Sequence, residues 1–260
     1  MGSEMCIRDS APLEAAATGL LNGAFSNSGQ TCISIERVYV EEPVFAEFSR
    51  RIAEGASRLK IGWSASWDTD VGSLIHSAHA AKVMRHIEDA VTKGARVLAG
   101  GRRRQDIGPS FVEPTVLSNV QPDMLIADQE TFGPVITLYP VQSAQEGIQR
   151  ANDSAFGLNA TIWSGNSGES KRIARLIETG SINVNSTLMV YNSFDAPMGG
   201  VKLSGVGRRH GEQGILRYTQ AQSIVTSFAA GGGYDAILSR LTTDRRVRGV
   251  LAALRWWRRI

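Results

Sequence analysis

The chain alternates between segments with a helical hydrophobic period and segments with a strand pattern. Apolar residues recur at three- and four-residue steps over residues 11–25 and 77–93, which predicts two amphipathic helices. β-branched and aromatic residues dominate ISIERVYV (33–40) and VITLYPV (135–141), which predicts two strands. Strands that alternate with helices of about ten to fifteen residues indicate an α/β fold with a mostly parallel sheet, covered by helices on both faces.

The sequence divides into four predicted parts. Residues 1–10, MGSEMCIRDS, have no hydrophobic period and are predicted not to be native to the fold. Residues 11–205 carry the alternating pattern, and residues 206–230 form a C-terminal return that ends in a strand. Residues 231–260 are a basic amphipathic tail that follows a run of three glycines.

The composition is that of a soluble globular protein. Of the 260 residues, 42% are hydrophobic and 20% are charged, and no apolar run approaches the roughly 20 residues that cross a bilayer. Two cysteines cannot form a disulfide framework, and the first ten residues lack the apolar core of a secretory signal. We therefore predict a cytoplasmic protein.

The positive charge of the chain is concentrated in its tail. The net charge is +3, yet after Arg240 a single acid, Asp244, stands among six arginines: Arg245, Arg246, Arg248, Arg255, Arg258 and Arg259. The rest of the chain is close to neutral, so we predict no nucleic-acid partner. The stretch VRGVLAALRWWRRI places apolar residues on one helix face with arginines around it. This pattern favours peripheral contact with an anionic membrane, and the alternative is a solvated C-terminus.

A cysteine ends the polar turn SNSGQTC (26–32), between a predicted helix and a predicted strand. A thiolate nucleophile needs access to its substrate, and the residues just before Cys32 are mostly small. The backbone amide of Cys32 could also donate a hydrogen bond to an oxyanion. The alternative is a packed, unreactive cysteine, and the sequence places no histidine as a base for the thiol.

The segment QETFGPV (129–135) combines a carboxylate, an aromatic ring and a bend. Glu130 lies two residues before Phe132, and Gly133-Pro134 bends the chain before the next strand. A loop at the end of a parallel strand lines a ligand crevice, where Glu130 could accept hydrogen bonds from two sugar hydroxyls beside the Phe132 ring. The alternative is a solvated glutamate and a core phenylalanine.

Other motifs predict no further site. The glycine-rich stretch 196–211 contains no G-x-G-x-x-G pattern, and the chain has no P-loop. His76, His79 and His86 lie on or near one predicted helix, but no cysteine or acidic pattern completes a zinc site. We therefore predict that these are surface histidines and that the protein binds no metal.

Four of these stretches, in order, resemble the catalytic half of the aldehyde dehydrogenase superfamily. FSNSGQTC resembles the active-site cysteine segment of the family, and PDMLIADQETFGPV resembles its E-x-F-G-P-V cofactor segment. ANDSAFGLNATIWS with GSINVN resembles the following strand pair, and PMGGVKLSG the substrate-side loop. The resemblance runs from about Pro12 to Phe228 and identifies residues 11–205 as the catalytic domain. DVGSLIH and GRRHGEQGILRYTQAQSIV are most similar to succinate-semialdehyde dehydrogenases.

The resemblance implies oxidation of a small-molecule aldehyde with NAD or NADP, and succinate semialdehyde is the expected substrate. Cys32 would attack the carbonyl to give a thiohemiacetal, which becomes a thioester and is hydrolysed to the acid. Glu130 would hold the nicotinamide ribose, and Phe132 would pack near the nicotinamide. The implied pocket residues are Thr31, Ile33, Asn185 and Met198.

The chain also departs from the family pattern. A full member is nearly twice as long, and this chain begins just after the place where the family's E-L-G-G segment supplies a general-base glutamate. Part of the cofactor site lies in the same upstream region, so we expect this chain alone to be inactive. Arg209 falls near a position where many members carry a glutamate. By analogy, the strand at residues 222–228 pairs with a neighbouring subunit, which implies a homo-oligomer.

Two other functions fit the same residues. A non-catalytic module could use residues 222–228 only to oligomerise. A cysteine-dependent esterase is the other alternative, because a thiol and an oxyanion-binding amide suffice for ester chemistry.

Overall fold

The structure, a computed structural model, describes residues 3–65 and 68–226, together with residues 239, 247–249 and 252. The strands are β1 (Ser3–Ile7), β2 (Arg37–Glu41), β3 (Arg96–Ala99), β4 (Thr115–Ser118), β5 (Val135–Val141), β6 (Phe156–Gly157), β7 (Asn159–Trp163), β8 (Ser181–Val184) and β9 (Val201–Lys202). The helices are α1 (Leu13–Phe25), α2 (Glu42–Arg58), α3 (Ser77–Thr92), α4 (Leu125–Asp128), α5 (Ala144–Asn152), α6 (Ser167–Ala174), α7 (Met189–Asn192) and α8 (Gly211–Leu216).

Seven strands form one sheet in the order β3-β4-β5-β2-β1-β7-β8. Every neighbouring pair is parallel except β3 and β4 at one edge. Strands β6 and β9 form a separate antiparallel pair. Parallel neighbours require long crossover connections, which the intervening helices supply. The predicted α/β fold with a mostly parallel sheet is confirmed.

Helices cover both faces of the sheet because successive side chains of a strand point to opposite faces. In β2, Val38 and Val40 belong to a core cluster with residues of α1 and α2. Between them, Tyr39 packs on the other face with residues of α5 and α6. Tyr139 of β5 packs against this second cluster and also against a third cluster, which includes buried residues of α3. Helices α3 and α5 therefore lie on the same face of the sheet.

Strand β1 lies in the centre of the sheet, between β2 and β7, and all five of its residues are buried. The prediction that residues 1–10 are not native to the fold is therefore wrong for residues 3–7. Buried parallel strands usually read as continuous apolar runs. The sequence SEMCI includes a serine and a glutamate, so the hydrophobic pattern does not reveal it as a central strand.

A buried ion pair accommodates the glutamate of β1. The Glu4 carboxylate lies 2.6 Å from the guanidinium of Arg37 in β2. Burial raises the pKa of Glu4, and the neighbouring charge of Arg37 opposes that rise. Arg37 also donates to the carbonyl of Ala127 and to the hydroxyl of Ser154. Arg37 therefore connects the two central strands to α4, just before the segment that contains Glu130.

The chain divides into two compact units, residues 1–218 and 219–260. The first unit extends beyond the predicted boundary at residue 205 and includes α8. The described part of the chain contains no helix that is long and apolar enough to cross a membrane.

In the second unit, residues 221–226 have no regular structure, and Ile224 and Val225 are exposed. Residues 227 and 228 of the predicted subunit-pairing strand lie outside the described residues, so the homo-oligomer stays a prediction. Most of the basic tail, residues 231–260, also lies outside the described residues, and its membrane contact stays a prediction too.

Candidate functional site

The turn before Cys32 has a left-handed backbone. After α1, the residues Asn27, Ser28 and Gly29 have φ angles of 51°, 57° and 72°. A left-handed conformation costs a non-glycine residue about 1–2 kcal/mol, so contacts with the rest of the fold must hold this turn. One such contact is the Ser28 hydroxyl, which donates to the carbonyl of Gly72 at 2.9 Å.

Gln30 fixes the same turn through its side-chain amide. Its Oε1 atom accepts a hydrogen bond from the amide of Ile75 at 2.8 Å. Its Nε2 atom donates to the carbonyl of Asn27 at 3.1 Å. The turn is therefore connected both internally and to the loop that precedes α3.

Cys32 itself lies in a second, tight turn. The amide of Ser34 donates to the carbonyl of Thr31 at 3.0 Å, which places Cys32 and Ile33 at the centre of the turn. Within the described part of the chain, the amide of Cys32 donates no hydrogen bond. This N–H is therefore available to an oxyanion that forms next to the sulfur.

The Cys32 thiol is half-buried and packs against a small apolar cluster. The cluster consists of the buried residues Ile33, Leu158 and Met198, with Val190 partly buried against them. Thr31, which precedes the thiol in the turn, is also half-buried. The structure thus brings together Thr31, Cys32, Ile33 and Met198 from the predicted site.

The turn before Cys32 contacts the segment that contains Glu130. A β-carbon at Gly29 would lie 2.1 Å from the carbonyl oxygen of Gly133 and 3.0 Å from the nitrogen of Pro134, so only glycine permits this approach. The two segments lead into the neighbouring parallel strands β2 and β5. Both therefore lie at the amino ends of strands. Open α/β sheets usually bind ligands at the carboxyl ends of their strands, so this general rule does not by itself support a crevice here, and the ligand crevice stays a prediction.

Three side chains of α3 form hydrogen bonds with residues 130–132, which we call the 130–132 segment. Lys82 donates from Nζ to the first carbonyl of this segment at 2.7 Å. The Nε2 atom of His79 donates to the last carbonyl at 2.8 Å. The Nδ1 atom of His86 lies 3.1 Å from the hydroxyl of Thr131, which is fully buried. Glu130 and Phe132, on either side of Thr131, are half-buried.

The prediction of surface histidines is wrong for His86. The side chain is 3% exposed. Burial lowers the pKa of His86 to about 4, and the positive charges of Lys82 and Arg85 add to that effect. The imidazole is therefore neutral at neutral pH. Together with His79, it supports the 130–132 segment instead of facing solvent.

Glu36, which no sequence motif singles out, lies just before β2 and contacts the backbone of the 130–132 segment. The Glu36 carboxylate accepts hydrogen bonds from the amides of Phe132 at 2.8 Å and of Thr131 at 3.3 Å. Burial raises the pKa of Glu36 to about 7, with the charge of Glu130 adding to the rise and the two amides opposing it. The one available signal is an acid within the mainly apolar run ISIERVYV.

Asn185 lies at the carboxyl end of the parallel sheet, whereas Cys32 lies at its amino end. Asn185 follows the carboxyl end of β8, and its side chain bonds to both backbone polar groups of Ser164. It lines a surface cavity of about 600 Å³ along α1, and Cys32 does not line that cavity. The structure therefore does not bring this predicted pocket residue to the thiol.

Asn183, two residues earlier, is connected to the Cys32 cluster. It is buried, its Oδ1 atom accepts from the amide of Val190 at 2.8 Å, and its Nδ2 atom donates to Asn159 at 3.1 Å. Val190 packs against the cluster. In a strand that ran through Asn185, Asn183 and Asn185 would share one face, so the sequence alone does not show which one supports the pocket.

No group of three histidine, cysteine or acidic side chains that could hold a metal ion is present among the described residues. The α3 side chains that contact the 130–132 segment are instead a lysine and two histidines.

Comparison with known protein sequences places the chain in one family. The chain matches the model of the "Aldehyde dehydrogenase family" over residues 2–224. It is 46% identical over 224 residues to a protein of Mycobacterium tuberculosis named succinate-semialdehyde dehydrogenase [NADP(+)] 2, covering 86% of this chain and 43% of that protein. It is 40% identical over 210 residues to a succinate-semialdehyde dehydrogenase [NADP(+)] of Sinorhizobium fredii, covering 81% of this chain and 42% of that one.

Solved structures give the same result. A succinate-semialdehyde dehydrogenase of Burkholderia pseudomallei superposes with a TM-score of 0.79 at 39% identity, over 84% of this chain and 44% of that one. A betaine aldehyde dehydrogenase of Staphylococcus aureus in complex with NAD+ has a TM-score of 0.78 at 32% identity, over 84% and 43%. The chain spans less than half the length of each of these relatives. By sequence and by fold, this chain belongs to the aldehyde dehydrogenase family.

Proposed function

We propose that a protein containing this chain oxidises an aldehyde to a carboxylic acid with NAD+ or NADP+, and that Cys32 is the nucleophile. One observation carries the proposal: a half-buried thiol follows a turn that directly contacts the segment containing Glu130. The names of the relatives support succinate semialdehyde as the substrate.

The first step forms a bond between the Cys32 sulfur and the aldehyde carbon, and the carbonyl oxygen becomes an oxyanion. The amide of Cys32 can donate to that oxygen, and a preorganised donor of this kind contributes about 3–4 kcal/mol to transition-state stabilisation. The product is a thiohemiacetal on Cys32. After oxidation to the thioester, water attacks the acyl carbon, which releases the acid and restores the thiol.

The residues of the 130–132 segment fit the ribose end of a nicotinamide cofactor. Glu130 offers a carboxylate, which suits the two hydroxyls of a ribose. The half-buried ring of Phe132 offers an apolar surface beside it. A bound NAD+ or NADP+ supplies the hydride acceptor for the oxidation. The backbone bonds of the segment to Lys82 and His79 fix its position before any ligand arrives.

Arg209 is an exposed residue whose backbone pairs with Met198 of the Cys32 cluster. Its backbone pairs with Met198 through two hydrogen bonds of 2.7 Å, and its guanidinium lies 5.3 Å from the ring centre of Tyr191. Tyr191 follows Val190, which packs against the same cluster. Arg209 is thus connected to the Cys32 cluster through the backbone of Met198, and its guanidinium contacts the residue that follows Val190. We assign to Arg209 the distal carboxylate of succinate semialdehyde, which a guanidinium can bind by charge-assisted hydrogen bonds.

Protection of Cys32 from alkylation tests this function without cofactor. The full 260-residue chain is treated with iodoacetamide at increasing succinate semialdehyde, and the modified Cys32 peptide is quantified by mass spectrometry. A thiohemiacetal removes the reactive thiolate, so protection should be saturable. Butyraldehyde, which lacks the distal carboxylate, should protect more weakly. Arg209→Gln should weaken protection by succinate semialdehyde about threefold to tenfold and leave butyraldehyde unchanged.

Arg217→Gln is the matched control, because Arg217 also lies near α8 but stacks on Tyr218 instead of Tyr191. It should leave both protection curves unchanged. Equal protection by the two aldehydes, or an unaltered curve for the Arg209 variant, would contradict the substrate assignment. Absence of protection by either aldehyde would contradict the role of Cys32.

A further inference from the structure

The 130–132 segment is held at four backbone groups by three side chains. Lys82 and His79 of α3 donate to its first and last carbonyls. The two remaining contacts are the amides of Thr131 and Phe132, and both donate to the single carboxylate of Glu36. Glu36 is thus the side chain that accepts hydrogen bonds from two backbone amides of the segment.

The backbone of this segment needs such support. Phe132 has a φ of 54°, in the left-handed region that a residue with a side chain rarely adopts. A conformation of this kind costs about 1–3 kcal/mol and persists only where surrounding structure imposes it. The following residue, Gly133, packs so closely on α3 that a β-carbon there would lie 2.7 Å from a methyl group of Val83. The conformation of the segment therefore depends on its contacts with α3 and with Glu36.

We propose that Glu36 is the positioning residue of the 130–132 segment. By holding the amides of Thr131 and Phe132, it fixes the backbone from which the side chains of Glu130 and Phe132 project. The effect of Glu36 on ribose binding rests on the proposed function. The hydrogen bonds that Glu36 accepts do not depend on that function. Glu36 does not act on the substrate and is not a catalytic residue.

The charge state of Glu36 decides how well it holds the segment. An ionised carboxylate accepts at both oxygens, whereas a protonated one keeps a hydrogen on one of them. Burial and, to a smaller extent, the charge of Glu130 raise the pKa of Glu36 to about 7, whereas the amides of Phe132 and Thr131 and the charge of Arg37 lower it. The two amides therefore bind the ionised carboxylate more strongly than the protonated one. From α3, the groups that contact the same segment are His79, Lys82 and His86. We expect the segment to be held above neutral pH and loosened below it.

Amide resonances of the full chain, labelled with ¹⁵N at threonine and phenylalanine, test this directly. The signals of Thr131 and Phe132 should shift together as the pH is lowered through about 7. In Glu36→Gln the shared titration should disappear. Exchange of the Phe132 amide with solvent, corrected for intrinsic rate, should be about 10- to 100-fold faster in this variant than in the unaltered chain at pH values above the titration.

Glu130→Gln is the matched control. It should keep the shared titration and move it to lower pH, because the charge of Glu130 raises the pKa of Glu36. Loss of the titration in the Glu130 variant would assign it to Glu130 and overturn the proposal. Independent behaviour of the two amides in the unaltered chain would overturn it without any variant. Neither outcome depends on cofactor binding, so failure here is distinguishable from failure of the proposed function.

Discussion

Cys32→Ala is expected to abolish acyl transfer from 4-nitrophenyl acetate to the chain. In the unaltered chain, the Cys32 sulfur bonds to the acetyl carbon and 4-nitrophenolate leaves, so the release should show a burst of one equivalent as the thioester forms. The amide of Cys32, which donates no hydrogen bond in the described part of the chain, is placed to bind the developing oxyanion. Without the sulfur, release should fall to the rate in buffer.

The control for this experiment is Cys6→Ala, because Cys6 is the other free thiol of the chain. It should keep the full burst. Intact-mass analysis should find one acetyl group on the unaltered chain and none on the Cys32 variant. A burst that survives in Cys32→Ala and is lost in Cys6→Ala would contradict the assignment. Continued rapid turnover after the burst would favour the esterase alternative over a dehydrogenase that stops at the thioester.

Gly29→Ala is expected to have the largest effect on stability. Its β-carbon would lie 2.1 Å from the carbonyl oxygen of Gly133, so the Cys32 turn and the segment before β5 would have to separate. Overpacking costs about 1–3 kcal/mol, and a left-handed φ adds about 1–2 kcal/mol for a residue with a side chain. The free energy of unfolding from urea denaturation should therefore fall by roughly 2–5 kcal/mol.

Gly94→Ala separates the two contributions. Gly94 also has a positive φ, of 102°, but a β-carbon there would meet no atom within 4 Å. This variant should lose only the backbone contribution, about 1–2 kcal/mol. If both variants lose equal stability, the close approach of Gly29 to Gly133 does not contribute, and the two halves of the proposed site are not held together as described.

The arrangement of strands and helices could be predicted because most elements carry a clear period. Val38 and Val40 alternate with Tyr39, and this alternation is what places helices on both faces of the sheet. Strand β1 could not be predicted in the same way. It holds a glutamate in the sheet centre, and this is compatible with burial only because Arg37, more than thirty positions later, lies beside it. No local pattern reports such a partner.

In the candidate site, too, some features could be predicted from the sequence and others could not. Cys32 and Glu130 stand out from the sequence because each lies in a short polar segment before a strand. Their contact depends on β2 and β5 being neighbours in the sheet, which periodicity does not reveal. Asn183 lies within β8, whereas Asn185 follows the strand with a φ of 52°, and the sequence does not show that the strand ends between them. Glu36 lies inside a strand-like run, where its role depends on amides almost a hundred residues away.

The relative alkylation rates of the two cysteines in the native chain test the central claim, that Cys32 is an accessible thiol beside the 130–132 segment. Cys6 is 7% exposed, and burial raises its pKa to about 12. Near pH 8, its thiolate fraction is on the order of one in ten thousand. We predict that iodoacetamide modifies Cys32 completely before Cys6 reacts detectably, and that both react in denaturant. Cys32 that stays unmodified until the chain unfolds would contradict the account.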